Sequence, residues 1–194
     1  MLYHNPTDKT KVSSLLLPFY SSFTTLLLPK HMSEHLEISA GSKREKYEAL
    51  LPQIEAVVAA ESDPIANMAN VASMLHETFG FWWTGFYRVL DGVLVLGPFQ
   101  GPMACTRIQK GRGVCGTAWQ TNQTQVVPDV DQFPGHIACS SASRSEIVVP
   151  LHNASGEVTG VLDIDSAELN TFDQTDQHYL ERIAALLNIS SNAQ

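Results

Sequence analysis

The sequence predicts an α+β fold built on an antiparallel sheet. Three observations carry this. Two amphipathic helical patterns come first, two strand–turn–strand patterns follow, and a capped helical pattern closes the chain. No internal repeat is visible, and 194 residues suit one domain with room for an appendage.

The first helical pattern is the stripe Tyr47, Leu50, Leu51, Ile54, Val57 and Val58, spaced by three and four residues. Pro52 lies inside it and is expected to bend or split the helix, because proline removes an N–H donor and crowds the preceding turn. Asp63-Pro64 reads as an N-cap followed by proline at the first helical position. Ile65, Met68, Val71, Ala72, Leu75 and Phe79 form the second stripe, which Gly80 ends. Residues 81–90 are aromatic-rich and strand-like, Asp91-Gly92 is a hairpin turn, and 93–96 return. A third strand is predicted over 103–108, a short helix over 114–121, and an irregular loop over 128–143. Residues 145–151 and 158–164 form a second hairpin around 153–156. Asp173 then caps a helix with the stripe Tyr179, Ile183, Leu186 and Leu187.

Charge narrows the function. The net charge is −8. Residues 1–31 hold one acid (Asp8) and three bases (Lys9, Lys11, Lys30), so the rest holds 20 − 1 = 19 acids and 12 − 3 = 9 bases. That balance argues against nucleic acid, whose phosphates require clustered Lys and Arg. It suits a cationic or zwitterionic small ligand. Residues 12–29 carry no charge, but Pro18 and Pro29 interrupt them and six Ser or Thr dilute them. Neither a membrane anchor nor a cleaved signal peptide is expected from such a run, and no stable membrane association. Acid-poor and Ser-rich, it also has some character of an organelle transit peptide. The reading favoured is an unstructured extension over 1–31, a linker over 32–42, and a cytoplasmic protein. Organelle targeting by 1–31 stays open.

The three cysteines, Cys105, Cys115 and Cys139, lie in one short window at intervals of ten and twenty-four residues. An odd count does not suit a fully paired secreted scaffold, and clustered thiols in a reducing compartment are more often catalytic or metal-bound. Chemistry in which one sulfur attacks and another resolves is the leading reading. A disulfide staple, a zinc site and three unrelated buried thiols are the alternatives. Zinc is disfavoured, because His136 and Cys139 supply only part of a ligand set and no CxxC is present.

Asp163 and Asp165 are two apart on a predicted strand and therefore share a face, with Leu162 and Ile164 opposite. Two carboxylates on one face repel unless a cation lies between them, and Glu146 on the preceding strand can join them. This reads as a pocket for an ammonium group; a solvated strand face is the alternative. Trp83 and Tyr87 share a strand face with Gly85 between them. They are either core residues or an aromatic wall for a thioether or methyl group. Gly111-Arg-Gly-Val-Cys-Gly116 matches no phosphate-loop pattern.

Six segments in order resemble one family: WTGFY (83–87), LVLGPFQG (94–101), GRGVCGTA (111–118), GHIACxxAS (135–143), SEIVVPL (145–151) and GVLDIDS (160–166). Together with the cysteine intervals they are similar to the free methionine-(R)-sulfoxide reductases, single-domain GAF proteins. The likeness runs from about residue 43 to 189, and the GAF domain is assigned to 43–190. It implies a GAF-like fold, a six-stranded antiparallel sheet with helices packed on it. It further implies reduction of free methionine-R-sulfoxide to methionine as a defence against oxidative stress. Position by position, Cys139 resembles the attacking cysteine, Cys105 the main resolving partner and Cys115 the auxiliary one. Trp83, Tyr87, Glu146, Asp163 and Asp165 match the substrate pocket, with Glu146 expected to donate the proton. The resemblance implies a redox-active disulfide recycled by thioredoxin, with no metal and no bound organic cofactor. A homodimer is compatible with it. A GAF sensor without catalysis and a redox-sensing interaction protein are the readings from other classes.

Overall fold

The computed structural model describes residues 36–38, 40–137 and 141–187. Helix α1 (Lys43–Ala60) starts at a capping box, in which Ser42 accepts from the Glu45 N–H and Glu45 accepts from the Ser42 N–H. It runs unbroken past Pro52, so the expected split does not occur. Pro52 and Glu48 both face solvent, where the carbonyl that loses its donor is open to water. Helix α2 (Pro64–Phe79) is capped by Asp63, which accepts from the N–H groups of Ile65 and Ala66, and it ends at Gly80 in the left-handed region.

Six strands form one antiparallel sheet in the order β3-β2-β1-β6-β5-β4. They are β1 (Trp83–Leu90), β2 (Val93–Gln100), β3 (Arg107–Ile108), β4 (Gln125–Val127), β5 (Ser145–His152) and β6 (Val158–Ser166). Asp91 and Gly92 turn the first hairpin with positive φ at both positions. Strand β2 runs past the expected end at Leu96. Gly97 and Pro98 fall where Gly85 pairs with Phe99 and Tyr87 with Leu96, so both face Phe86 alone in a bulge. A bulge leaves a residue unpaired, which is how proline enters this strand. Strand β3 is only two residues rather than 103–108, because residues 102–105 are held by side chains of β1 instead of by a ladder. No sequence pattern announces the three-residue edge strand β4. It lies between α3 (Gly113–Thr121) and Pro128, too short for alternation to show.

The two faces of the sheet carry separate cores. Phe86, Ile147, Val149, Leu151, Leu162 and Ile164 pack under α1, α2 and the last helix, α4 (Gln174–Leu186). Trp83, Tyr87, Val148 and Val161 face the other way, toward α3 and the loop after β4. Part of the expected linker is tied down. Leu36 and Ile38 pack on the first core, and Glu37 exchanges two hydrogen bonds with the Gln53 side chain.

A buried polar clamp joins α1 to α4. Asp176, fully buried, accepts from the Tyr47 hydroxyl at 3.0 Å, from Lys43 Nζ and from the Asp173 N–H. Lys43 also pairs with Asp173 at 2.9 Å. Asp176→Ala removes the acceptor and leaves a buried phenol unpaired. It is expected to cost about 3 kcal/mol, read as a lower urea midpoint with an unchanged slope.

Candidate active site

Strand register assembles the site. Trp83 pairs with Asp165, and Asp165 with Glu146; Gly85 pairs with Asp163, and Asp163 with Val148. Residues directly opposite share a face. Trp83, Tyr87, Glu146, Asp163 and Asp165, read as pocket residues from sequence, therefore converge on one side of the sheet and line one cleft. Cys115 enters it from the first turn of α3, and His136, Ile137 and Ser143 from the loop before β5. Cys139 lies outside the described residues.

The aromatic wall depends on Gly85. A Cβ there would sit 2.4 Å from Phe99 Cβ and 2.5 Å from the Trp83 ring. Without one, the Trp83 ring lies between Tyr87 and Phe99, at centroid distances of 6.0 and 5.4 Å. The polar tips of this wall hold the Cys105 segment. Trp83 Nε1 donates to the Pro102 carbonyl at 3.1 Å, and the Tyr87 hydroxyl to the Cys105 carbonyl at 2.9 Å. Cys105 itself is half-buried and disulfide-bonded, whereas Cys115 is a free, buried thiol.

Opposite the wall lie the acids. Glu146 and Asp163 are each 6% exposed, and no Lys, Arg or His among the described residues forms an ion pair with them. Burial, and then the Asp163 and Asp165 charges, push the Glu146 carboxyl well above its ordinary range. Burial, followed by Asp165, does the same to Asp163, offset by contacts of its carboxyl with Cys115 and Glu146. Asp165, less buried than these two, is raised to about 6 by burial, offset by its hydrogen bond with Ser143. Burial raises the Cys115 thiol as well, reinforced by Asp163 and Glu146, so it stays protonated at neutral pH. Its Sγ lies 4.0 Å from Glu146 Oε1. Oδ1 of Asp163 is buried with no hydrogen-bond partner. Chemically, the cleft offers an apolar aromatic side for a thioether and an acid side able to hold a cation or give a proton.

This arrangement predicts an inverted pH response. The unfolded chain releases the Asp165 proton near pH 3.8, the folded chain only near 6. Folding stability from Asp165 is therefore complete below pH 3.8 and is lost as pH rises through about 6, a change of about 3 kcal/mol. Glu146 and Asp163 act with the same sign. Thermal melts of the ligand-free protein are expected to give a lower Tm at pH 8 than at pH 5, with the difference reduced in Asp165→Asn.

Sequence reasoning missed Phe99, Ser143, Ile137 and Arg112, which complete the wall and rim. The alternation of β2 could have placed Phe99 on the pocket face only if the bulge at Gly97-Pro98 had been recognised.

Residues 63–190 match the GAF domain family. A Dictyostelium discoideum protein known as GAF domain-containing protein A is 61% identical over 158 residues, covering 81% of this chain and 99% of the relative. The free methionine-R-sulfoxide reductase of Escherichia coli is 46% identical over 147 residues, covering 75% of this chain and 88% of the relative. The X-ray structure of free methionine-R-sulfoxide reductase from Neisseria meningitidis, in complex with its substrate, superposes with a TM-score of 0.77. It is 57% identical and covers 79% of this chain and 92% of that one. The six-stranded antiparallel GAF fold, the matched span and these identities agree, and the chain belongs to the free methionine-R-sulfoxide reductase family of GAF-domain proteins.

Proposed function

We propose that this protein reduces free L-methionine R-sulfoxide to L-methionine by thiol chemistry. The observation that carries the reading is the convergence of the Trp83–Tyr87 wall and the Glu146, Asp163 and Asp165 carboxyls beside the disulfide-bearing Cys105 segment. The wall suits the methyl and thioether end, since sulfur packs well on aromatic rings. The acids suit the free α-ammonium, which a methionine inside a peptide lacks.

In the proposed cycle the Cys139 thiolate attacks the sulfoxide sulfur. The oxygen takes a proton from Glu146, methionine leaves, and Cys139 is left as a sulfenic acid. The Cys105 thiol condenses with it, forming a disulfide and releasing water. A dithiol such as thioredoxin then reduces that disulfide and is itself oxidised. The raised Glu146 carboxyl supports its role as donor, because a general acid must still carry its proton at working pH. Two facts support Cys105 as resolver: Tyr87 of the aromatic wall holds its carbonyl at the cleft, and the alternative thiol, Cys115, is buried among acids and free. No metal or organic cofactor takes part in this cycle.

The test is a coupled assay with thioredoxin on separated R and S epimers of free methionine sulfoxide. Turnover of R alone is expected. Turnover of neither epimer would return the chain to the sensor class. The domain reading places catalysis within 43–190, so a chain starting at Met32 is expected to keep the full-length kcat/KM. A large loss on that truncation would give residues 1–31 a part in catalysis.

A further inference from the structure

The acid side of the cleft also contains a thiol. We propose that Cys115, Glu146 and Asp163 form a binding site for a thiophilic divalent cation of the zinc type, and that a bound ion excludes the amino-acid substrate. The second half rests on the ammonium pocket proposed above; the first half does not.

The sulfur of Cys115 and one carboxylate oxygen from each acid lie within 4.8 Å of one another, and all three residues are buried. Zinc binds sulfur at about 2.3 Å and carboxylate oxygen at about 2.0–2.2 Å, which places tetrahedral ligand atoms roughly 3.3–3.7 Å apart. Side-chain movement of about 1 Å closes the difference. The donors come from three separate elements, α3, β5 and β6, so the sheet and the helix packed on it fix their directions. Asp163 Oδ1 provides an independent pointer: an oxygen of a residue 6% exposed, facing the cleft, has no hydrogen-bond partner. An ion held at the site would satisfy this buried acceptor.

The donor set selects among ions. Magnesium and calcium require more oxygen ligands than two carboxyls provide in a buried site. A thiolate with two carboxylates suits zinc or cadmium. Binding releases the Cys115 proton and any on the carboxyls to solvent, and nothing is oxidised or reduced. The sulfur and the Glu146 carboxyl are 31 residues apart in the chain, so no short ligand spacing betrays the set. It shares no residue with the His136–Cys139 pair that the sequence offered as a partial zinc site.

The variant Cys105→Ser/Cys139→Ser leaves Cys115 as the only thiol, whatever the redox state. Titrated with Cd2+, it is expected to give one sulfur-to-cadmium charge-transfer band that saturates at one ion per chain. Zn2+ should remove the band by competition. Adding Cys115→Ser should abolish it, and adding Asp163→Asn should weaken cadmium binding at least about tenfold. Circular dichroism of each variant confirms that it folds. Free methionine R-sulfoxide, which this variant does not consume, should displace the metal. No band, or a band unchanged by Asp163→Asn, overturns the site and leaves the reductase reading intact. A band that persists under saturating sulfoxide overturns the exclusion. Failure of the reductase reading would instead show as absence of turnover by the unmodified chain.

Discussion

Cys139→Ser is expected to release no methionine from the R-sulfoxide in a single turnover, a fall of about 10³-fold or more, the scale on which removing a nucleophile acts. A single-turnover measurement needs no recycling, so it isolates the attacking thiol from those that follow. Cys115→Ser is expected to keep a substantial part of the activity. The Cys115 thiol is buried and held protonated by its surroundings, first by desolvation and then by the Asp163 and Glu146 charges, and a thiol in that state is a poor nucleophile. Cys105→Ser should release methionine once and then stall, because the sulfenic acid lacks its resolving partner. Peptide mapping after substrate treatment without reductant should recover a Cys105–Cys139 link, the one the proposed cycle forms. Full methionine release by Cys139→Ser would remove it as nucleophile, and a dominant Cys115–Cys139 link would make Cys115 the resolver.

The second large effect concerns selectivity for the free amino acid. Asp163→Asn and Asp165→Asn are expected to raise KM by about 10- to 100-fold each with a smaller change in kcat, since a charge-assisted hydrogen bond contributes about 1.5–3 kcal/mol. Glu146→Gln should mainly lower kcat, by about 10²-fold or more, the usual scale for a general acid. The wild type should reduce N-acetylmethionine sulfoxide poorly. Acetylation removes the ammonium charge and leaves the Asp163 oxygen facing an amide in place of a cation. Equal rates on the acetylated and free compounds would overturn the ammonium pocket without touching the cysteine chemistry. The two substitution classes also separate roles: a KM effect marks binding and a kcat effect marks proton transfer.

The elements were legible where periodicity was long. The stripes of α1, α2 and α4, the Asp91-Gly92 turn and the β5–β6 hairpin follow from patterns that each element repeats several times. The shared face of Asp163 and Asp165, and that of Trp83 and Tyr87, follow from the two-residue repeat of a strand. Elements of two or three residues have no period to read, so β4 leaves no pattern in the sequence and β3 is shorter than its pattern suggests. Pro52 misled for a different reason. Its helical penalty is real, but a solvent-facing proline leaves the exposed carbonyl to water and lets packing on both sides carry the helix through.

Which residue types share a strand face, the cysteine intervals and the resemblance of six ordered segments to one family can all be read along the chain. Those are local or ordered along the chain, and alternation and spacing preserve them. That β1, β6 and β5 are neighbours in that order, and hence that Trp83, Asp165 and Glu146 lie in one row, is set by the assembled sheet. The tertiary structure also brought Cys115 of α3 against Glu146, hung the Cys105 carbonyl on the Tyr87 hydroxyl, and left Asp163 Oδ1 buried without a partner. Strand order and helix docking depend on burying both faces of the sheet at once. That is a constraint on the whole chain, so contacts between residues dozens of positions apart are set by packing and leave no mark in local sequence.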